Sequence, residues 1–252
     1  MCTVTIHRES GGLLVTMNRD EAISRAPEIP PAIHAEDGSA AWMAPQDSAK
    51  GGTWMGANEC GVVACLLNYY RPGESLIPQP QQGDRSRGEI IPRMLTVGGL
   101  DQGTTWLEES FDPEPYPSFT LLLFTLASGR RITWLRGTSL RYDTIEGTWS
   151  VISSSGWDSE RIIRWREERF QQWLADGETM QGTLPSFNML QVPGKEEWSP
   201  LMKRDWSSTR SVTQAAVDPS KALLHYWPDP APNSVEPSTS LALNLVQPAG
   251  KE

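Results

Sequence analysis

The sequence predicts an α+β domain on three observations. Strand-length apolar segments recur between turn signals, neighbouring segments are close enough to pair antiparallel, and the helical stretches are few and set apart from them. Cys2 to Ile6 alternates as a strand, Ser10-Gly11-Gly12 is turn chemistry, and Leu13 to Met17 is the return strand of a hairpin that ends in Asn18-Arg19-Asp20-Glu21. That geometry delivers four polar residues to the end at which the chain starts. Ser86 to Val97 and Thr104 to Phe111 read as helices. Residues 119–126, 130–135, 139–145 and 148–154 read as an antiparallel meander forming one sheet, with turns at Ser128-Gly129 and Glu146-Gly147. Asp158 is placed to cap a long helix in which Ile162, Ile163, Phe170, Trp173 and Leu174 are separated by arginines and glutamates, ending near Gly177 and covering a sheet face. Residues 177–205 mix loop and short helix, and 209–217 with 221–227 make a second hairpin around Asp218-Pro219-Ser220. A Pro-rich excursion near 228–238 precedes a last strand from Leu241 to Val246. No internal repeat interrupts this order, and 252 residues with evenly spread strands predict a single domain over 1–252.

A net charge of −9 disfavours nucleic acid or an anionic membrane as partner. Residues 1–20 hold no basic segment followed by an apolar one, and the longest apolar run, Leu121 to Leu126, is far too short to span a bilayer. A soluble, cytoplasmic protein is expected. Three cysteines without framework spacing fit a reducing compartment. Cys60 and Cys65 are read as structural, and His7, His34 and His225 are too scattered to suggest zinc. Gly51 to Gly56 has the outer spacing of a phosphate loop, but Ala57 stands where its lysine is required. No metal or cofactor is expected.

Cys2 carries the chemistry. Once Met1 is removed, this residue owns both a thiol and a free α-amine, with reference pKa values of about 8.5 and about 7.7–8, so one residue supplies a nucleophile and a base. An isolated cysteine after methionine is ordinary; one beside a polar cluster of Asn18, Arg19, Asp20 and Glu21 is not.

Met1-Cys2-Thr3, Asn18-Arg19-Asp20-Glu21, Gly51-Gly52-Thr53-Trp54-Met55-Gly56-Ala57-Asn58 and Ser86-Arg87-Gly88-Glu89, in that order, resemble the NRDE family, which includes the transport-and-Golgi-organisation type proteins. Ser208-Thr209-Arg210-Ser211 and the hairpin after it extend the resemblance more loosely. More distantly, Asn58-Glu59-Cys60-Gly61-Val62 with Leu66-Leu67-Asn68-Tyr69 is similar to the segment of choloylglycine hydrolases and penicillin V acylases that carries their oxyanion-hole asparagine. Those are N-terminal nucleophile hydrolases, so the resemblance implies a four-layer αββα sandwich of two antiparallel sheets. It also implies that Cys2 is the nucleophile, Asp20 orients the terminal amine and Asn68 donates to the oxyanion. Two departures stand out. The hydrolases have an arginine where this chain has Met17, and Arg19 lies on the other side of Asn18. Their second asparagine is replaced by Ser153-Ser154-Ser155-Gly156, which makes Ser155 a candidate contact. The resemblance also puts a functional arginine near Arg210, which reads equally as a surface strand residue.

Among eleven tryptophans, Trp54 is the candidate wall for an apolar acyl group, with packing at a sheet end as its alternative. Arg87 and Glu89 read either as a ligand clamp or as helix capping and charge pairing. Together these readings predict an amidohydrolase or acyltransferase working on a small amide, thioester or ester through an acyl-cysteine. A carrier of haem or lipid on the same scaffold is the second reading, and a purely structural module is the third.

Overall fold

The computed structural model describes residues 2–70 and 84–246. Met1 lies outside them. In chain order the strands are β1 (Cys2–Glu9), β2 (Gly12–Ala22), β3 (Ile29–His34), β4 (Trp42–Gln46), β5 (Met55–Asn58) and β6 (Val63–Asn68). A 3-10 turn at Arg87–Glu89 leads into α1 (Ile90–Thr96) and α2 (Leu100–Glu109). Then come β7 (Phe119–Phe124), β8 (Gly129–Trp134), β9 (Arg141–Thr144), β10 (Trp149–Ser154) and α3 (Ser159–Ala175). The short β11 (Met180–Gln181) and β12 (Leu184–Pro185), a 3-10 turn at Ser186–Met189, β13 (Ser207–Val217), β14 (Lys221–Pro228) and β15 (Thr239–Asn244) complete the described chain.

Two large antiparallel sheets result, beside the two-stranded β11-β12: a first sheet in the order β10-β1-β2-β13-β14-β15, and a second running from β3 to β9 in sequence order. Their facing surfaces enclose the main core, with Val4, Ile6, Val15 and Met17 on one side and Met55, Val63, Cys65 and Leu122 on the other. Strand alternation turns the remaining residues outward to helices. Ala64, Leu66, Leu121 and Leu123 pack with Ile90, Ile91, Met94 and Leu107 of α1 and α2. Trp149 and Val151 pack with Phe170 and Trp173 of α3. The layers are therefore helix, sheet, sheet, helix, and the expected αββα sandwich is the observed fold.

Three expectations need correction. The four-strand meander stops at β9, because β10 crosses to the first sheet and pairs with β1, Cys2 opposite Ser154. Its composition requires this: Trp149 and Val151 have apolar partners on the α3 side and Ile152 packs into the inter-sheet core, whereas β9 is a mostly exposed edge. Asn18 to Glu21 do not follow the return strand but lie inside it, since β2 pairs with β1 from Gly12 to Arg19 and with β13 from Leu13 to Ala22. Asp158 sits at the start of α3 but in left-handed backbone (φ 44°), and its carboxylate bonds Arg161 (3.2 Å) instead of a helix N–H. Among the described residues, no helix is long and apolar enough to cross a membrane.

Candidate active site

Alternation along β1 and β2 sorts the polar cluster into two faces. Cys2 and its cross-strand neighbour Arg19 face the second sheet, while Thr3, Thr5, Asn18 and Asp20 face α3 and the loop after it. At the sheet end the core opens into a cavity of about 370 Å³, where Cys2, Asp20, Asn68, Arg19, Trp54 and Arg87 meet. Six of the nine residues singled out by the sequence thus converge.

Cys2 is 8 % exposed, and its backbone N–H donates to Ser154 Oγ at 3.2 Å. Burial pushes its thiol up from the ordinary value, although the Asp20 backbone N–H bonded to the sulfur works the other way. A thiol shifted upward in this way gains nucleophilic character only with a base beside it. Asp20 is buried; its Oδ1 accepts from Thr209 Oγ1 at 2.7 Å, and its Oδ2 lies 3.6 Å from Arg166 Nη2. Burial raises the Asp20 carboxyl, opposed by the charge of Arg166.

Arg166 was not legible as a site residue, yet it is fully buried and donates to Thr3 Oγ1 (2.7 Å), Trp198 O (2.8 Å) and Ser199 O (2.9 Å). The sequence does hold a signal: Arg166 falls four residues after Ile162 and four before Phe170, on the apolar stripe of α3. An arginine there must be paired or misplaced.

Arg19 lies 4.4 Å above the Trp54 ring and is tied to Glu28 and, at 3.2 Å, to Glu21. Two residues from Met17 on one strand, it shares that residue's face and so brings a cation to the side where the departure at Met17 had removed one. Glu28 also accepts from Tyr226 Oη (2.5 Å), while Arg25 pairs with Asp47 (2.5 Å) at the rim. Trp54 is 6 % exposed, and its indole N–H has no hydrogen-bond partner among the described residues. Asn68 ends β6, with Nδ2 donating to Tyr70 Oη at 3.1 Å. Arg87 donates through Nη1 to Ser118 O (2.9 Å). Glu89 turns away to Arg85 (2.6 Å), so the two do not form one clamp.

The glycine-rich and Ser86-Arg87-Gly88 blocks fit into each other. A Cβ on Gly52 would stand 2.5 Å from Gly88 C, and Thr53 N–H donates to Gly88 O at 2.9 Å. The glycines serve backbone packing rather than close approach of a ligand.

Three candidates fall elsewhere. Arg210 is the extra residue of a bulge between Thr209 and Ser211; its side chain reaches Asp229 (3.4 Å) and Ile23 O (3.3 Å) instead of the cavity, which corrects its reading as a pocket charge. The bulge is what lets Thr209 face Asp20 while Ser211 faces Arg19. Asn18 is fully buried on the outer face, where its Nδ2 donates to Asn188 O (2.8 Å) and Pro200 O (3.0 Å), stapling the loop to the sheet rather than binding a ligand. Ser155 lines a neighbouring cavity of about 140 Å³ that also touches Asn68, and its hydroxyl donates to Trp157 O (2.6 Å); Ser154, not Ser155, contacts Cys2. Cys60 is exposed in a turn and Cys65 is buried in β6. Among the described residues no cluster of His, Cys, Asp or Glu has the arrangement of a metal site.

Comparison with known proteins agrees with this architecture. The family model described as Transport and Golgi organisation 2 matches residues 1–225. The human Transport and Golgi organization protein 2 homolog is 27 % identical over 118 residues, a match covering 47 % of this chain and 40 % of that protein. Among solved structures, the Caenorhabditis elegans ortholog of N-acylethanolamine-hydrolyzing acid amidase superposes with a TM-score of 0.56 at 10 % identity, covering 96 % of this chain and all of the other. Penicillin V acylase from Agrobacterium tumefaciens gives 0.51 at 12 % identity over 91 % and 83 % of the two chains. A variant of conjugated bile acid hydrolase from Clostridium perfringens gives 0.52 at 9 % identity over the full length of both. At these identities the structural likeness is one of fold.

Proposed function

Since the chain belongs to the Transport and Golgi organisation 2 family and has an N-terminal-nucleophile-type sandwich, we propose that it is an N-terminal cysteine amidohydrolase or acyltransferase for a small amide, thioester or ester. The observation that carries this reading is the meeting of Cys2, Asn68 and Asp20 at one cavity, from three different strands. In the proposed step the free Cys2 amine takes the thiol proton and the sulfur bonds the substrate carbonyl carbon. Asn68 Nδ2, now on Tyr70 Oη, turns to the oxyanion. The carbon–heteroatom bond then breaks, the ammonium returns its proton to the leaving group, and water or an amine resolves the acyl-cysteine. Asp20, held by Thr209 and Arg166, fixes the terminus electrostatically. A volume of about 370 Å³ is near the lower end of the ~300–1,000 Å³ range of small-ligand pockets and favours a small acyl compound over a macrocycle such as haem.

Trapping with acyl-activated probes tests the proposal. The purified chain should lack Met1 by intact mass and gain one acyl group at Cys2. Cys2→Ala should abolish labelling, while Cys60→Ala and Cys65→Ala leave it nearly intact. Homogeneous Met1-bearing protein that acylates at Cys2 would sink the terminal-amine mechanism. Haem or lipid binding that survives Cys2→Ala, with no probe ever turned over, would replace the enzyme by the carrier reading.

A further inference from the structure

The charges around the cavity are unevenly matched. Each lining carboxylate has a cation within ion-pairing distance: Asp20 faces Arg166 (3.6 Å), Glu21 faces Arg19 (3.2 Å), which it shares with Glu28, Asp47 faces Arg25 (2.5 Å), and Asp84 faces Arg136 (2.5 Å). Of the lining arginines, Arg19 is committed to Glu28 and Arg85 to Glu89. Arg87 is the exception. Among the described residues it has no carboxylate within ion-pairing distance, and its hydrogen bond is the one from Nη1 to Ser118 O (2.9 Å).

That bond leaves the Nε–Nη2 edge of the guanidinium, the side whose two parallel N–H groups match the two oxygens of a carboxylate. Arg87 is half-buried, and burial pulls its pKa down, opposed beyond ion-pairing distance by groups that include Asp84 and Glu21, each already paired with another arginine. A desolvated guanidinium with one neutral partner is costly unless something anionic completes it. Its backbone is also fixed, because Gly88 is wedged against Gly52 and Thr53, so the charge is held in place before any ligand arrives. Lys50, the lysine among the cations lining the cavity, is exposed.

We infer that the substrate carries a carboxylate, received by the free edge of Arg87 while its acyl carbon lies at Cys2. This deepens the catalytic reading above and rests on it for the placement of the acyl carbon.

The test uses two probe pairs on the full chain: glutaryl anilide against pentanoyl anilide, and N-hexanoylglycine against N-hexanoylglycinamide. Acylation of Cys2 is followed by intact mass, and equilibrium binding to the Cys2→Ala protein by calorimetry. In at least one pair the acid should be preferred by roughly ten- to hundredfold, the value of a charge-assisted contact. Arg87→Gln should erase the preference and Arg87→Lys retain part of it, with thermal melting showing both variants folded. Equal acylation by acid and neutral partners overturns the inference and leaves the catalytic reading standing. Arg87-dependent binding of the acid without any adduct supports the inference while the catalytic reading fails. A preference that survives Arg87→Gln overturns the role of Arg87, and probes that neither bind nor react overturn the inference.

Discussion

Replacing Arg166 by methionine keeps much of the side-chain volume in α3 and removes the charge opposite Asp20. Both partners of that pair are fully buried, so the lone carboxylate cannot fall back on water. The change also strands Trp198 O, Ser199 O and Thr3 Oγ1, each of which now receives a guanidinium N–H. Breaking one side of a buried pair costs about 3–5 kcal/mol. For a chain of this length each kcal/mol lowers Tm by about 2–4 °C, so Arg166→Met should melt roughly 10 °C lower. The assay is a double-mutant cycle read by chemical and thermal denaturation. Asp20→Asn in the Arg166→Met background should recover part of the loss, because an amide needs no counter-charge. A loss below about 1 kcal/mol for Arg166→Met, or no recovery in the double variant, refutes the account of Asp20 as a carboxylate held by this arginine.

Three further outcomes follow from the same geometry. Asn68→Ala should slow acylation of Cys2 by about 10²–10³, the usual cost of one oxyanion donor, with little change in melting temperature; unchanged acylation removes Asn68 from the chemistry. The Asp47 carboxyl is held below its ordinary value: burial pushes it up, but hydrogen bonds from Arg25 and from the Ala49 and Lys50 N–H groups outweigh that. Its contribution is therefore complete above the ordinary aspartate range and lost as pH falls through the depressed value, so the stability gap between wild type and Asp47→Asn should be constant from neutral pH to about 5 and shrink below about 4; urea titrations across pH that show a growing gap on acidification contradict it. Gly52→Ala should destabilise by about 1–3 kcal/mol, since its Cβ would meet Gly88 C at 2.5 Å, backbone that cannot swing aside. Wild-type stability in that variant means that the two blocks are free to separate.

The hairpin β1–β2, the hairpin β13–β14 and the helix α3 were legible because each is set by neighbours in sequence: period and turn. The partner of β10 was not, because Trp149 to Ser154 follows β9 after a turn-like Glu146-Gly147 and only packing on both faces sends it to β1. The site divides the same way. Cys2, Asp20 and Asn68 announce themselves by residue type and motif, and all three line the cavity. Thr209 and Ser154 are chosen by a bulge and a sheet crossover, which one-dimensional spacing does not encode, while Arg166 shows in the spacing only as a charge on the apolar stripe of α3, without its partner Asp20. Arg210 misled for that reason, since a one-residue bulge reverses which side of a strand a motif presents.

The crossing of β10 to β1 also sets a clock during synthesis. Cys2 leaves the ribosome well before Ser154, which accepts its backbone N–H and is 152 residues behind. At about 5–20 residues per second, some 8–30 s separate the two. Through that interval β1 has β2 as its partner but not β10, so Cys2 is not yet enclosed. Once β10 docks, Cys2 is 8 % exposed and enclosed between two strands. The order in which the strands are made thus sets how long the Cys2 backbone and thiol stay reachable before the sheet closes over them.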